Sequence, residues 1–391
     1  MRSRHVSGRN LYRNERGMSL VFVGVGFLGF VAASMLAIDV GMLMAARAEA
    51  QNAADAGAHA GATALAFDDY DDRSLTGPAV TNAVARAKAN LVMSVEVSVD
   101  PSQGDVTFEE GSFGEMNRVK VTAHRTSARS NPVGLFIARI FGTSTSDIAA
   151  TATAEASPAD AMDCVLPFMI PDRWDEKTSP PFNSMTSTFE MFTNKGAPLN
   201  PADVYIPATE DNYTGYDPVL DRGTKVILKA SNDTQVSPSI YNPIVIPGYP
   251  RGADEYRAAI ASCAHAEFEW DQPITVEPGN MVGPTKQGIE DLVAKDPNAV
   301  WNEGCQCVQN SAFPISPRVR PIPLYDPEYF ARGKREGRYA DFKVANFLGV
   351  FVAGMVGNDV IAYITPIGGG SGSSGGPAPK NAFPYAIRIV K

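Results

Sequence analysis

The chain has 391 residues, 44% hydrophobic and 9% aromatic, which excludes a single small module and wholesale disorder. Its formal charge of −9 is uneven: Arg2, Arg4, Arg9, Arg13 and Arg16 against Glu15 give +4 to residues 1–17 and leave −13 for the rest. A body that acidic lacks the electrostatic footprint of a nucleic-acid binder.

From Met18 to Ile38, 21 consecutive residues carry no charge, and Asp39 ends the run. At about 1.5 Å per residue such a helix spans the ~30 Å hydrocarbon core of a bilayer. A buried helix of a soluble protein seldom runs this long without a polar face. The arginines precede the span and the first basic residue after it is Arg47. Positive residues stay inside, so the amino end is expected in the cytoplasm and residues 40–391 beyond the membrane. Ala48-Glu49-Ala50 fits a signal-peptidase site, but the apolar run exceeds a signal-peptide core, and Arg47 and Glu49 crowd the cut. An uncleaved anchor is therefore expected.

Residues 45–66 hold 12 alanines and two glycines, so the anchor is expected to continue outward as one helical rod. Small residues recur every fourth position at Gly29, Ala33, Ala37, Gly41 and Ala45, and again at Ala46, Ala50, Ala54, Ala58, Ala62 and Ala66. Such rows let another helix backbone approach closely.

Arg13-Asn14-Glu15-Arg16-Gly17, the apolar span, Ala37-Ile38-Asp39-Val40-Gly41 and Gln51-Asn52-Ala53-Ala54-Asp55-Ala56-Gly57-Ala58 follow one another at fixed distances. In that combination the chain resembles the TadE/G-like family of tight-adherence (Flp) pilus assembly proteins, with Arg16, Gly17, Asp39, Gln51, Asn52, Ala53, Ala54 and Asp55 as the motif residues. The resemblance extends more weakly through Pro132–Gly142 to Ile148–Glu155, with Gly283–Ile289 as a further suggestive piece. It implies an α+β protein: a basic cytoplasmic tail (1–17), a transmembrane helix continuing as a rod (18–66), a pilin-like α+β module (67–156) and a larger β-rich periplasmic domain (157–391). It implies a single-pass protein of the bacterial inner membrane, working with other pilus-assembly or pilin-like proteins. Prepilin processing wants a glutamate five residues after the glycine, where this chain has Phe22 after Gly17. That departure points to a permanently anchored assembly factor. The Asp-x-Ser-x-Ser metal motif of von Willebrand factor A domains is absent from the sequence.

Beyond the rod, Asp68-Asp69-Tyr70-Asp71-Asp72 reads as a solvated loop rather than a calcium site, since it lacks a glycine turn. A helix is expected over 78–93 with Val80, Val84, Ala87 and Leu91 on one face, then strands at 95–99, 106–108 and 119–123, a short helix at 133–141 and a strand at 147–155. Residues 157–252 read as long ordered loops except near Lys225–Leu228. Helices follow at 253–263 and 284–295, the second opening on Pro284, and strands at 318–324, 341–353 and 359–367. Gly368–Gly376 reads as a flexible loop of a long hairpin closed by the strand at 385–390.

Cys164, Cys263, Cys305 and Cys307 fall on the outward side and suggest two disulfides. A Cys305–Cys307 bridge would close a very small ring, so both are expected to reach to Cys164 and Cys263. Zinc on Cys263-x-His265 and Cys305-x-Cys307 is the alternative, disfavoured by the one-residue gaps. No metal or cofactor is expected. Gly24, Gly26 and Gly29 spell a dinucleotide fingerprint inside the apolar span, where no strand–turn–helix unit can exist. Gly372-x-Ser374-x-Gly376 mimics a nucleophile elbow within low-complexity glycine. Of four histidines only His265 is a candidate base, and no carboxylate dyad stands out. The sequence points to a non-catalytic pilus-assembly component without an evident small-molecule substrate. A surface adhesin or ligand-binding module is the alternative, and an extracytoplasmic hydrolase centred on His265 is the remote one.

Overall fold

The computed structural model describes residues 16–68, 72–111, 115–230, 235–335, 342–369 and 378–390. The basic residues before Arg16, the Asp69-Tyr70-Asp71 part of the acidic break and the Gly372-x-Ser374-x-Gly376 pattern lie outside them. A single helix, α1 (Arg16–Phe67), runs for 52 residues through both the apolar span and the alanine rod. It is followed by α2 (Pro78–Ala89), β1 (Val106–Glu109), β2 (Arg118–Arg125), β3 (Val133–Gly134), β4 (Thr145–Ser146) and β5 (Ile148–Pro158). Then come β6 (Ala161–Met162), β7 (Phe168–Pro171), β8 (Lys225–Ala230), β9 (Ile240–Pro243), α3 (Ala253–Ala261), β10 (Phe268–Glu269), β11 (Pro273–Ile274) and α4 (Val282–Lys295). The chain ends with β12 (Val300–Asn302), β13 (Cys307–Gln309), β14 (Val319–Tyr325), α5 (Pro327–Arg335), β15 (Phe342–Val356), β16 (Asp359–Ile364) and β17 (Tyr385–Val390).

The chain divides into two compact units, each discontinuous in sequence. The first takes the residues up to Gly57, with 84–106 and 121–152; the second takes 58–83, 107–120 and 153–391. Strands β1, β2, β5 and β17 lie side by side in that order in one sheet. Along β2, burial alternates residue by residue, with Val119, Val121, Ala123 and Arg125 inward, as a half-buried strand requires.

Within the second unit, β15, β14, β7, β9, β8 and β16 hydrogen-bond in sequence, and β16 pairs back onto β15. The result is a closed six-stranded barrel, with β11 added outside β15. The pairs β14–β7 and β8–β9 are parallel and the other four antiparallel. Closure removes the exposed edges that an open sheet would leave. It needs β15 to serve two neighbours along its length, and the register shift between Val352 and Gly354 lets it turn; Gly354 takes φ +140°, which suits glycine. The strand period explains the core. Phe168 and Ile170 of β7, Ile322 and Leu324 of β14, and Leu348, Val350 and Val352 of β15 join one buried cluster, while Met169, Tyr325 and Phe347 join a second.

Helices α3 and α4 supply Tyr256, Ile260, Ile289 and Leu292 to the first cluster. They cross at Gly288, where an added Cβ would lie 2.8 Å from Ile260 Cβ and 3.0 Å from the Arg257 carbonyl oxygen. Beside this contact, buried Thr285 Oγ1 joins the hydroxyls of Tyr241 and Tyr256, each at 3.1 Å. At the other end of α4, buried Arg318 donates to the carbonyls of Asp296, Ala299, Val352 and Ala353, so one guanidinium ties the helix terminus to β15.

Several expected elements differ. The helix from Pro78 stops at Ala89 rather than 93, and beyond it Met93 and Ser94 take left-handed conformations that turn the chain. The strand expected at 95–99 is reduced to single bridges, Val92 with Val95 and Ser98 with His124. The helix expected at 133–141 is instead the two-residue strand β3 followed by one 3-10 turn, Ala138–Phe141. Helix α4 opens at Val282, two residues before Pro284. Strand β17 does not close a hairpin with β16; it pairs antiparallel with Thr153–Pro158 of β5. The short strand β7, inside a stretch read as loops, is central to the barrel.

Because α3 and α4 meet backbone to side chain at Gly288, Gly288→Val is expected to lower stability by about 1–3 kcal/mol through overpacking. Gly283→Ala, with nothing within 4 Å of its added Cβ, is expected to leave stability unchanged or slightly raised. Urea unfolding followed by near-UV circular dichroism measures both.

Candidate functional site

Helix α1 changes character along its length. Leu20, Phe22, Val25, Phe27 and Phe30 are all more than 60% exposed, whereas Ala46, Ala50, Ala53, Ala54, Ala58 and Ala62 are fully buried. Among the described residues this is the one helix long and apolar enough to cross a membrane. The alanine row is used within the protein itself: a Cβ added to Gly61 would lie 2.8 Å from Val119 Cγ1 and 3.0 Å from Ala83 Cβ. Among the described residues the row from Gly29 to Ala45 has no such use. Ala33, Ala37, Gly41 and Ala45 are exposed, and nothing stands within 4 Å of a Cβ added at Gly29 or Gly41.

Between the two halves, Asp39 is only 4% exposed although its neighbours Ile38 and Val40 are exposed. What covers it is backbone. Its carboxylate accepts the N–H groups of Phe136 (3.0 Å), Ile137 (3.1 Å) and Ala138 (2.6 Å), almost a hundred residues away in sequence. Three consecutive amides converging on one carboxylate are charge-assisted bonds of the stronger kind. Higher on the same helix, Gln51 Nε2 donates to Asp55 Oδ1 (2.8 Å) and to the Thr151 carbonyl (3.2 Å), and Glu49 accepts the Met93 N–H (2.6 Å). The motif residues therefore have different roles. Asp39 and Gln51 hold other segments onto α1, Ala53 and Ala54 pack in the interior, and Asn52 faces outward. Arg16 and Gly17 open the helix. Sequence periodicity could not reveal the Asp39 contact, since its partners are main-chain amides of a distant turn.

The cysteines pair as Cys164–Cys263 and Cys305–Cys307, so the expected long-range partners of Cys305 and Cys307 are corrected. Strands β12 and β13 form a hairpin in which Asn302 opposes Cys307. Gln306, at φ +50°, folds the turn so that the two Cα atoms stand 5.2 Å apart, within ordinary disulfide reach. The donor atoms of Asp163, Cys164, Cys263 and His265 lie within 4.8 Å of one another. With the two sulfurs bonded to each other, no thiolate is offered to a cation there.

In the barrel unit the most perturbed carboxyl is Asp172. It is wholly buried, accepting the hydroxyls of Tyr213 (2.7 Å) and Tyr205 (3.0 Å) and the amides of Arg173 (2.8 Å) and Tyr216 (3.2 Å). Burial pushes it up to about 6, against the opposing pull of these donors. Asn346 Nδ2 donates to Tyr213 Oη (2.8 Å), continuing the network to β15. Beside it opens a cavity of about 580 Å³, whose walls include Trp174, Phe182, Tyr213, Asp211 and Asp217. His265 stands apart on the surface, 3.8 Å from Asp163.

These features define a class: a β-rich body continuous with one long amino-terminal apolar helix. Residues 17–64, the stretch holding the exposed span, Asp39 and Gln51, match the family model described as putative Flp pilus-assembly TadE/G-like. The match is a similarity of this segment, which holds Gly17, Asp39, Gln51, Asn52, Ala53, Ala54 and Asp55 of the motif, and it covers less than half of the chain. No curated protein and no solved structure matches the chain.

The raised Asp172 carboxyl binds its proton more tightly in the native than in the unfolded state, so its own contribution to native stability falls as pH rises from about 4 to about 6. The shift from 3.8 corresponds to about 3 kcal/mol across that window. Chemical unfolding at intervals of pH is expected to show the stability of the wild type falling relative to that of Asp172→Asn, which cannot ionise, as pH rises through this window.

Proposed function

We propose that this protein is a non-catalytic component of tight-adherence (Flp) pilus assembly, anchored once in the bacterial inner membrane. Its amino terminus lies in the cytoplasm and its bulk in the periplasm. The observation carrying this reading is the match of residues 17–64 to the TadE/G-like model, which falls on the helix bearing the exposed apolar span. Supporting the orientation are the five arginines before the span and the disulfides beyond it, bonds that persist in oxidising compartments.

The mechanism is docking. In a bilayer the Leu- and Phe-rich faces of α1 gain nothing by meeting another apolar helix rather than lipid, so association rests on close packing over small residues. Gly29, Ala33, Ala37, Gly41 and Ala45 offer that row, and unlike the outer alanines they are exposed. Residues 67–156 serve as a pilin-like module and 157–391 as the larger periplasmic body that contacts pilin or secretion-channel parts. No step requires a cofactor, a metal or a small-molecule substrate.

Affinity purification from membranes is expected to bring down pilus-machinery proteins. Gly29→Leu and Ala37→Leu are each expected to reduce crosslinking to them several-fold while leaving membrane insertion intact. Crosslinking at wild-type yield in both variants would contradict the packing role.

A further inference from the structure

The segment held by Asp39 has an unusual surface. Leu135 is buried, but Phe136 is 74% exposed and Ile140 71% exposed, and exposed Arg139 lies between them. Large apolar side chains standing together in water at that exposure mark a surface with an apolar partner. We infer that residues 135–142 form a hook that inserts Phe136 and Ile140 into the phospholipid surface beside α1, on the side from which the body emerges. This rests on the reading that α1 spans a bilayer.

Position supports the lipid occupant. The hook is bonded to Asp39, the first residue past the uncharged span, so it sits within about one helical turn, ~5 Å, of where the hydrocarbon ends. Leu36, Ile38 and Val40 on the same stretch of α1 are exposed as well, on more than one side of the helix.

Backbone bonding supports it as well, because a segment entering a bilayer surface must already satisfy its peptide groups. The amides of Phe136, Ile137 and Ala138 are taken by Asp39, and Leu135 N–H donates to the Ser144 carbonyl (2.9 Å). The amides of Ile140, Gly142 and Thr143 donate to the carbonyls of Ile137, Arg139 and Ala138. The turn closes on Gly142 at φ +94°, a conformation suited to glycine. Arg139 is placed to reach lipid phosphate while its stem stays in the apolar layer. Asp39 thereby acquires a purpose that helix formation alone does not give it: it pins an amphipathic turn at membrane height.

The test uses the full-length chain in vesicles of phosphatidylethanolamine and phosphatidylglycerol. The four native cysteines are paired, so a single added cysteine carries a polarity-sensitive fluorophore. Labels are placed at Ile140→Cys, at Phe136→Cys in a separate variant, at Phe27→Cys within the span, and at Leu91→Cys as a reference. Leu91 is exposed and lies in the segment whose Met93 N–H bonds to Glu49, about ten residues or ~15 Å along α1 from Asp39. Lipids doxylated near the headgroup are expected to quench the 140 and 136 labels several-fold more than the 91 label. Lipids doxylated deep in the chain are expected to quench the 27 label.

Quenching at 27 without quenching at 136 or 140 overturns the hook and leaves the spanning helix standing. Absence of quenching at 27 overturns both. Blue-shifted emission at 136 and 140 without doxyl quenching assigns the patch to a protein contact and also overturns the proposal.

Discussion

One helix has to satisfy two solvents. The first half of α1 is apolar and exposed, and it is long enough to cross a membrane. The second half is alanine-rich and buried, and its small side chains let neighbouring segments approach to backbone distance, as at Gly61. No break separates the halves: α1 is one helix from Arg16 to Phe67. The change from exposed to buried surface begins at Asp39, whose charge could not be buried without donors and is met by three main-chain amides.

The barrel unit answers a different requirement. A β-rich chain gains from having no free sheet edges, since an unpaired edge invites pairing with another chain. Pairing β16 back to β15 closes the ring of six strands, whereas β17 ends the four-stranded sheet beside β5. Buried polar groups hold the remaining loops: Arg318 fastens the end of α4 to β15, and Arg320 donates to the carbonyls of Cys164, Ala259 and Ser262, joining the loop at the disulfide to the end of α3. Asp172 with its two tyrosines does the same for residues 205–216.

What could be read from the sequence was what rests on period and composition. The apolar span and alanine rod, the helices near 253 and 284, and the long strands β14 to β16 carry continuous or alternating apolar runs, and they occur close to where those runs are. The Gly288 crossing lies within a glycine-bearing segment that stands out in the sequence, although its reason, contact with Ile260, needed the partner helix. What could not be read rests on distant pairing or on exposure. The run Leu135–Phe141 has the apolar content of a short helix, yet its Phe136 and Ile140 point to the surface. The Cys305–Cys307 bridge depended on a left-handed residue between the two cysteines, a conformation without a signature in composition. Strand β17 was legible as a strand but not in its partner, since a short apolar alternation fits any open edge.

The account stands or falls on topology. A fusion of periplasmic alkaline phosphatase to the carboxyl end, beside a matched fusion of a cytosolic reporter, measures it in living bacteria. An active phosphatase and a silent cytosolic reporter are expected. The opposite pattern would place the barrel, its disulfides and the Asp39 turn on the wrong side of the membrane and would contradict the anchored pilus-assembly reading.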